Sequence, residues 1–280
     1  MNSEESRVDR RLFLGALGAL PLSSAIAASA AFRGSFDPAD PMQNLHALAR
    51  LNGGIGTEPA IWWFKGRAYG MPEGELRLPV CGIVGCRIVI YRPSGAGFEI
   101  YTRDWGLFVT LDDQPLESLR NPFTGAVVAP RHILTAGYRW KIDPREGQIL
   151  EPSEAGTVSS LVGRPFVMPW HRHGNQLWGR FETFVKYPNG AVGSEILAFN
   201  ADHDAVISNR SRYVPATGTW VNESPWLPWL NMKGTPGGML MVSAGQKEPD
   251  MAALPSFVRD LTAATFPGLL ENPTTWKRPT

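Results

Sequence analysis

The sequence predicts a mainly β protein, an antiparallel β-barrel of the calycin or lipocalin type with a few peripheral helices. Its 29 glycines and 24 prolines divide the chain into short segments, as turns do between strands. Most of these segments are rich in β-branched and aromatic residues, which favour strands. Many consecutive strands with few helices indicate an antiparallel sheet, and closure into a barrel would remove its exposed edges. A barrel of about eight or more strands can hold a small ligand in its lumen.

The N-terminal segment has the features of an export signal. Arg10 and Arg11 precede an apolar run and then several small residues, which is typical of the twin-arginine pathway. The apolar run is shorter than the about 20 residues that a membrane span requires. We therefore expect residues 1–31 to be a signal peptide recognised by the twin-arginine export machinery, and residues 32–280 to form a single barrel domain. The mature protein would then be periplasmic, without stable membrane insertion after cleavage, whereas an uncut segment would remain as an anchor.

Two helices are predicted within the domain. The first follows Asp40, has Pro41 in its first turn and directs Met42, Leu45 and Leu48 toward the core. The second begins near the C-terminus and carries three apolar residues after a proline: Pro255, followed by Phe257, Val258 and Leu261.

Between these helices the chain contains strands joined by tight turns. The stretches "RPSGAGFEI" and "KYPNGAVG" are typical of hairpin turns, because glycine supplies the positive φ that such turns require. Cys81 and Cys86 are five positions apart, which places them on opposite faces of one continuous strand. Their Cα atoms would then be about 16 Å apart, whereas a disulfide requires less than about 7 Å. We therefore expect two free, buried thiols, unless the nearby glycines turn the chain.

Composition excludes several classes of function. The formal net charge is +1, so no long-range field attracts nucleic acid, and no nucleic-acid partner is expected. The chain has no Walker loop, no G-x-S-x-G nucleophile elbow and no zinc-protease helix. Nucleotide-dependent chemistry and serine hydrolysis are therefore disfavoured, and no cofactor is expected.

One predicted strand combines aromatic and charged side chains on a single face. Side chains alternate along a strand, so the apolar face from Leu177 to Val185 suits core packing. The other face carries Gln176, Trp178, Arg180, Glu182, Phe184 and Lys186. It would suit either a polar lumen or a solvated outer wall. Because large aromatic side chains are usually buried, the presence of Trp178 and Phe184 favours the lumen.

Two histidines just before this strand are candidates for acid–base chemistry. His171 and His173 point the same way if residues 170–174 are extended. Either could be a general base, because histidine titrates near neutrality. The other catalytic candidates are tyrosines that could donate a proton, arginines that could hold an oxyanion, and one acid: Tyr138, Tyr101, Arg172, Arg180 and Glu182. The structural alternative is a hydrogen-bonded histidine and an arginine paired with Glu182.

The same two histidines could instead bind a metal ion. A third ligand would have to come from Glu182, His132 or His203. No spacing in the sequence secures that ligand, so a metal-dependent barrel is kept as an alternative and no metal is expected.

Ten tryptophans suggest an aromatic or hydrophobic ligand. Some must fill the core, while others could line a cavity that stacks a planar compound. The stretch "PWLPW" is too stiff for a central strand and too apolar for a free loop, so we interpret it as a lid or rim over one end of the barrel. The candidates for substrate binding are five aromatic residues and one cation: Trp178, Phe184, Trp226, Trp229, Trp140 and Arg87.

Several motifs resemble a known bacterial family. The stretches 103–128 and 211–234 contain an N-P-aromatic-T-G turn from Asn121 to Gly125 and a tryptophan–proline cluster. A late step from Lys247 to Pro255 completes the pattern. The sequence resembles the family of domains of unknown function numbered eighteen thirty-eight, across nearly the whole mature chain. The resemblance implies one secreted β-rich domain and no established chemistry. Ala126 stands where an acidic residue is expected, which would soften that turn.

These observations favour an exported enzyme that acts on a small aromatic or hydrophobic compound by acid–base chemistry. We expect a lyase or isomerase, for example one that releases a small aldehyde by retro-aldol cleavage of a lignin-derived aromatic dimer. The alternatives are a non-catalytic periplasmic carrier of a hydrophobic ligand and a metal-dependent barrel enzyme that uses His171 and His173.

Overall fold

The computed structural model describes residues 36–56, 59–135, 137–150, 158–162, 165–186, 191–208 and 213–275. The predicted signal peptide, residues 1–31, lies outside these ranges. Within them the helices are α1 (Pro41–Asn52), α2 (His203–Ile207) and α3 (Ser256–Thr265). The strands of the same ranges are β1 (Ala60–Pro72), β2 (Leu78–Ser94), β3 (Gly97–Val109), β4 (Leu119–Arg120), β5 (Val127–Val128), β6 (Ile133–Leu134), β7 (Tyr138–Asp143), β8 (Gly147–Leu150), β9 (Val158–Val162), β10 (Trp170–His173), β11 (Gln176–Lys186), β12 (Val192–Asp202), β13 (Thr217–Ser224) and β14 (Gly237–Glu248).

The strands form a large antiparallel sheet, which confirms the prediction of a mainly β fold. The strand order is β10-β11-β12-β13-β14-β1-β2-β3-β7-β8-β9, with β6 beside β3, while β4 and β5 form a separate ribbon. β9 pairs with β8 on one side, and on the other side it pairs with the end of β11. In that second pairing Val185 lies opposite Ser159, and Lys186 lies opposite Val158.

Both predicted hairpins correspond to paired strands. β2 and β3 pair up to Ser94 and Gly97, and Gly95 between them has a φ of 58°, as the glycine-rich turn sequence predicts. β11 and β12 pair from Gln176 opposite Asp202 to Lys186 opposite Val192. The predicted turn between them, residues 187–190, lies outside the described residues.

The inner face of the sheet carries two apolar clusters. The helix-side cluster joins α1 to aromatic residues such as Trp62 of β1 and Phe199 of β12. The loop-side cluster joins Ile83 of β2, Phe108 of β3 and Met241 of β14 to the segment that connects β13 to β14. The inner face is therefore covered at one end by a helix and at the other by a connecting loop.

The helix α1 begins where the sequence predicts, because Asp40 caps its first turn. The Asp40 Oδ1 atom accepts a hydrogen bond from the Met42 amide at 2.8 Å, and Pro41 occupies the first turn. Leu45 and Leu48 are 0% exposed and pack in the helix-side cluster. Each buried leucine contributes about 1.5–3 kcal/mol to stability, so α1 is an integral part of the inner core.

Lys247 of β14 fastens the end of α1 to the sheet. Its ammonium group donates hydrogen bonds to the carbonyl oxygens of Arg50, Leu51 and Gly53 at 2.8, 3.0 and 2.9 Å. These are the unpaired carbonyls of a helix C-terminus, where a cation is favoured. Burial and the nearby Arg50 lower the pKa of Lys247 to about 7, so its charge depends on these acceptors.

The opposite end of the inner face is closed by the motifs that carry the family resemblance. The buried side chain of Asn121 donates a hydrogen bond to the Leu230 carbonyl oxygen at 2.8 Å, and its Oδ1 accepts from the Phe123 amide at 2.8 Å. The Phe123 ring packs on Trp226, with ring centroids 5.5 Å apart. The main chain closes this turn through Asn121 N and the Ala126 carbonyl oxygen, 2.8 Å apart. The turn therefore anchors the tryptophan–proline segment over the loop-side cluster.

The outer face of β1–β3 is covered by the second predicted helix, α3. Val258 is fully buried there, whereas Phe257 is 37% exposed and contacts Trp63 edge-on. Cys86 packs in this outer cluster and Cys81 packs in the loop-side cluster on the other face. Both cysteines are free and buried, as their spacing predicts.

The strand pair β1–β14 contains two glycines where the neighbouring backbone leaves no room for a side chain. A Cβ added at Gly245 would lie 1.8 Å from the Trp63 carbonyl oxygen, and one at Gly66 would lie 2.0 Å from the Val242 carbonyl oxygen. Any side chain at either position would push the neighbouring backbones apart.

Replacing Lys247 with methionine should lower the free energy of unfolding by about 3 kcal/mol, because buried carbonyl oxygens would lose their donor. Urea unfolding followed by tryptophan fluorescence measures the change. The matched control is Lys65→Met, since the Lys65 ammonium pairs with Asp113 at the surface. That variant should change stability by less than about 1 kcal/mol. Equal stability of the two variants would contradict the fastening role of Lys247.

Candidate functional site

The histidines that the sequence singles out lie on the surface. His171 and His173 in β10 are both exposed. In the neighbouring strand β11, Trp178 is 48% exposed and Phe184 is 51% exposed. The prediction that this face lines an enclosed lumen is wrong, because Leu177 and the other alternate residues of β11 supply the buried face instead. Strand alternation separates two faces, but it does not say which of them points inward.

The charged residues of this hairpin are already engaged. Arg180 pairs with Glu182 on the exposed face, as the structural alternative predicted. The Arg172 Nε atom donates a hydrogen bond to the Gly174 carbonyl oxygen at 3.0 Å. Neither arginine faces an enclosed space in which an oxyanion could be held away from water.

A metal site at the two histidines lacks its third ligand among the described residues. No three histidine, cysteine, aspartate or glutamate side chains come together there. The His132 Nδ1 atom accepts a hydrogen bond from the Phe108 amide at 3.1 Å, and His203 is buried beside Asp204. Glu182 is paired with Arg180. None of the three candidate ligands joins His171 and His173.

Of the two tyrosine candidates, Tyr101 lies away from the histidines. The Tyr101 side chain points to the outer face, where its hydroxyl donates a hydrogen bond to the Thr274 carbonyl oxygen at 3.2 Å. Tyr138 and Trp140 belong to β7, but their side chains lie outside the described residues.

The tryptophan–proline segment packs against the loop-side cluster, while its interpretation as a lid or rim of a barrel stays a prediction. It forms a short 3₁₀ turn over Pro228–Leu230. Trp226 donates a hydrogen bond to the Thr235 carbonyl oxygen at 3.0 Å. The Trp229 ring packs on Phe108, with centroids 5.2 Å apart. Both tryptophans thus contact the loop-side cluster.

Arg87 is the candidate that the structure places inside the sheet. On β2 its neighbours on the same face belong to different clusters, with Val89 and Tyr91 in the helix-side cluster and Ile83 in the loop-side cluster. The side chain therefore projects from the inner face at the boundary between the two apolar regions.

Two carboxylates from distant strands meet Arg87 at this boundary. The Arg87 Nε atom donates to Asp104 Oδ1 of β3 at 2.5 Å, and Nη2 donates to Glu195 Oε1 of β12 at 2.9 Å. We call these three residues the inner charge cluster. Asp104 and Glu195 occupy the same boundary on their own strands. On β3, Asp104 lies between Ile100 of the helix-side cluster and Phe108 of the loop-side cluster. On β12, Leu197, two positions after Glu195, belongs to the helix-side cluster.

Burial changes the protonation behaviour of the inner charge cluster. Loss of solvation raises the pKa of Asp104 above its ordinary value, and the attraction of Arg87 does not fully offset this effect. Burial also opposes the charge of Arg87, but the two carboxylates outweigh it and raise the pKa of Arg87. The guanidinium therefore stays charged.

The inner charge cluster borders on accessible space. The side chains of Arg87, Asp104 and Glu195 remain 16%, 24% and 19% exposed, although apolar clusters lie on both sides of them. One polar group of each makes no hydrogen bond to a described residue: Arg87 Nη1, Asp104 Oδ2 and Glu195 Oε2. The cluster is therefore only partly buried.

Sequence reasoning named Arg87 but missed both carboxylates. Asp104 is 17 residues from Arg87, and Glu195 is 108 residues away. The available signal was a single charge among apolar residues on one face of each strand, with opposite signs on different strands. That pattern becomes informative only when the inward face of each strand is known.

Replacing Arg87 with methionine should cost about 3–5 kcal/mol of stability, because two buried carboxylates would lose their counterion. The triple variant Arg87→Met, Asp104→Asn, Glu195→Gln should recover most of that loss, since no charge remains unpaired. Urea unfolding measures both, and Arg180→Met is the matched surface control. A triple variant no more stable than Arg87→Met would show that charge pairing is not the cause.

Comparison with known proteins identifies the family. No curated protein matches the sequence. In the described part of the chain, no helix has both the length and the apolar character needed to cross a membrane. The model of a family described as proteins of unknown function (DUF1838) matches residues 57–279. That range covers both motif regions and the inner charge cluster. The chain therefore belongs to the DUF1838 family of proteins of unknown function.

Proposed function

We propose that this protein is an exported β-barrel enzyme that transforms a small aromatic or hydrophobic compound by acid–base chemistry. Its class would be a lyase or an isomerase that needs no cofactor. The observation that carries the proposal is the inner charge cluster, where Asp104, Arg87 and Glu195 meet between two apolar clusters. Partly buried ionisable groups with shifted pKa values are typical of active sites.

Three features support closure of the sheet into a barrel. β9, at one end of the strand order, pairs with β8 and also with β11, the second strand from the other end. Gly66 and Gly245 lack side chains that would collide with neighbouring carbonyl oxygens, and glycines at such positions would let β1 and β14 curve as closure needs. Separate elements cover the two ends of the inner face, as plugs of a barrel would.

Asp104 would be the general base. A carboxylate with a raised pKa binds a proton more readily at neutral pH than an ordinary aspartate does. In a retro-aldol cleavage, Asp104 would take the proton of a substrate hydroxyl, the C–O bond would become a carbonyl, and the adjacent C–C bond would break. The electron pair of that bond would remain on the aromatic fragment, which would then regain a proton.

Arg87 would stabilise the negative charge that develops on the fragment. When Asp104 becomes protonated, it no longer neutralises the guanidinium, so the positive charge of Arg87 becomes available at that moment. The Nη1 group, which makes no hydrogen bond to a described residue, is the donor that a developing oxyanion would meet. This assignment moves the chemistry from the exposed β10–β11 hairpin to the inner face.

The variant Asp104→Asn should lose at least about 100-fold in turnover, because its amide cannot accept the proton. The assay would use lignin-derived aromatic dimers that carry a primary hydroxyl, with trapping of the released aldehyde. Ligand quenching of tryptophan fluorescence should persist in the variant. Asp113→Asn, which alters an exposed carboxylate paired with Lys65, is the control and should retain full activity.

The pH dependence gives an independent check on Asp104. Because the base must be ionised and its pKa is raised, activity should fall on acidification at a pH above the ordinary aspartate value of about 3.9. Residual activity of Asp104→Asn should lack this acidic limb. Wild-type protein that quenches with ligand but returns every compound unchanged would support the carrier instead of the enzyme.

Export would depend on the paired arginines. The double variant Arg10→Lys, Arg11→Lys should accumulate in the cytoplasm as uncleaved precursor, because the twin-arginine machinery reads these side chains. Cell fractionation and the N-terminal sequence of the mature protein measure the outcome. Wild-type levels of periplasmic protein from the variant would refute this route.

A further inference from the structure

An open cleft of about 480 Å³ lies at one end of strands β12, β13 and β14. This volume is within the range of about 300–1,000 Å³ that is typical of small-molecule sites. The segment that leads into β13 contributes Tyr213, Pro215 and Ala216 to its lining, and the other lining residues come from the strands. None of the residues that line the cleft belongs to the inner charge cluster, so the cleft is a separate candidate for ligand binding.

The strand residues of the cleft continue a row that crosses the sheet on its outer face. Thr217 lies opposite Gln246 on one side and opposite Asn200 on the other, and Asn200 in turn lies opposite Trp178. Residues directly opposite each other share a face, and this face points outward because the alternate residue Leu177 is buried. The Trp178 side chain is 48% exposed and lies one strand spacing, about 4.8 Å, from Asn200. A flat apolar ring therefore adjoins the polar cleft.

Several polar groups of the cleft have unused hydrogen-bonding capacity. The side chains of Gln176 and Thr217 make no hydrogen bond to a described residue. The Oδ1 atom of Asn200 is buried and also has no partner among the described residues, and leaving such an acceptor unpaired destabilises a protein. Because the amide of asparagine turns readily about its last bond, a ligand hydroxyl in the cleft would supply the missing partner.

The charges at the cleft favour an uncharged ligand. Among the described residues that line it, Lys247 is the one cation and Glu248 is the one carboxylate. The three hydrogens of the Lys247 ammonium group are already directed at three main-chain carbonyl oxygens, 2.8–3.0 Å away. The Tyr213 ring lies over the same ammonium group, with Nζ 5.2 Å from the ring centroid. An anionic ligand would therefore meet Glu248 without gaining a cation as partner.

From the amide and hydroxyl lining, the adjoining indole and the engaged state of Lys247, we infer that the cleft binds an uncharged saccharide of one or two rings. The hydroxyl groups around a sugar ring both donate and accept hydrogen bonds, as the side-chain amides do. The C–H groups on the face of the sugar form an apolar surface that packs on an exposed aromatic ring. One sugar ring would enter the cleft beside Asn200, and a second would rest on Trp178.

This inference goes beyond the proposed function and does not rest on it. Asn200 and Glu195 are five positions apart on β12, so their side chains lie on opposite faces of the sheet. Saccharide binding and Asp104-dependent turnover can therefore each fail while the other holds.

Isothermal titration calorimetry of the purified protein tests the ligand class. The probes are three neutral disaccharides, namely maltose, cellobiose and N,N′-diacetylchitobiose, with digalacturonic acid and uridine for comparison. At least one neutral disaccharide should bind with a dissociation constant below about 1 mM. Both comparison probes should bind at least about tenfold more weakly than the best disaccharide. Failure of all three disaccharides to bind would overturn the inference, as would either comparison probe binding as tightly as the best of them.

The variant Trp178→Ala tests the stacking surface. Its affinity for the best disaccharide should fall at least about tenfold, because the sugar loses the ring on which it packs. Phe184→Ala is the matched control, since Phe184 is a similarly exposed aromatic residue on the same face of β11, six positions away. That control should change the affinity less than about twofold. Equal losses in the two variants would place the saccharide elsewhere and contradict the inference.

Replacing Asn200 with leucine separates a ligand role from a structural one. The urea midpoint of the ligand-free protein should not fall, because the variant removes an unpaired acceptor, whereas saccharide affinity should fall at least about tenfold. Thr217→Val removes a second cleft hydroxyl and should also weaken binding. Thr219→Val, on the same face of β13 and outside the cleft lining, is its matched control. A lower midpoint with unchanged affinity in Asn200→Leu would make Asn200 a structural residue and overturn the inference.

Discussion

One guanidinium shared by two carboxylates is the interaction on which the interior of this protein depends. Arg87 reaches Asp104 on the adjacent strand and Glu195 across the inner face. Each member is tolerable inside the fold only because the others are there, since an unpaired charge in an apolar interior is far more costly than a paired one. The cluster therefore links the adjacent strands β2 and β3 to β12 across the inner face.

The rest of the inner face is organised around this boundary. At one end Lys247 fixes α1, and at the other Asn121 fixes the tryptophan–proline segment. Both anchors use side chains to pair carbonyl oxygens that no strand or helix partner reaches. The two ends are thus held by specific polar contacts, while the three charged residues between them stay partly exposed.

Local signals predicted the parts of the fold that local forces determine. Asp40 followed by Pro41 defines a helix start, Gly95 supplies a positive φ, and the spacing of Cys81 and Cys86 sets their opposite faces. The site could not be predicted in this way. Trp178 lies on an outward face, so the face of β11 that was predicted to point inward was the wrong one. The alternation of side chains along a strand does not show which face points inward. Glu195 is 108 residues from Arg87, and only the strand order brings them together.

The two cysteines have a consequence for how the chain matures. They lie on opposite faces of β2, and burial raises the pKa of Cys81 to about 12 and raises that of Cys86 as well. Neither sulfur is a thiolate at neutral pH, and neither can reach the other while the strand is paired. The covalent structure is thus the same in reducing and oxidising surroundings. If the chain folds before export, as proposed, no disulfide would have to form afterwards.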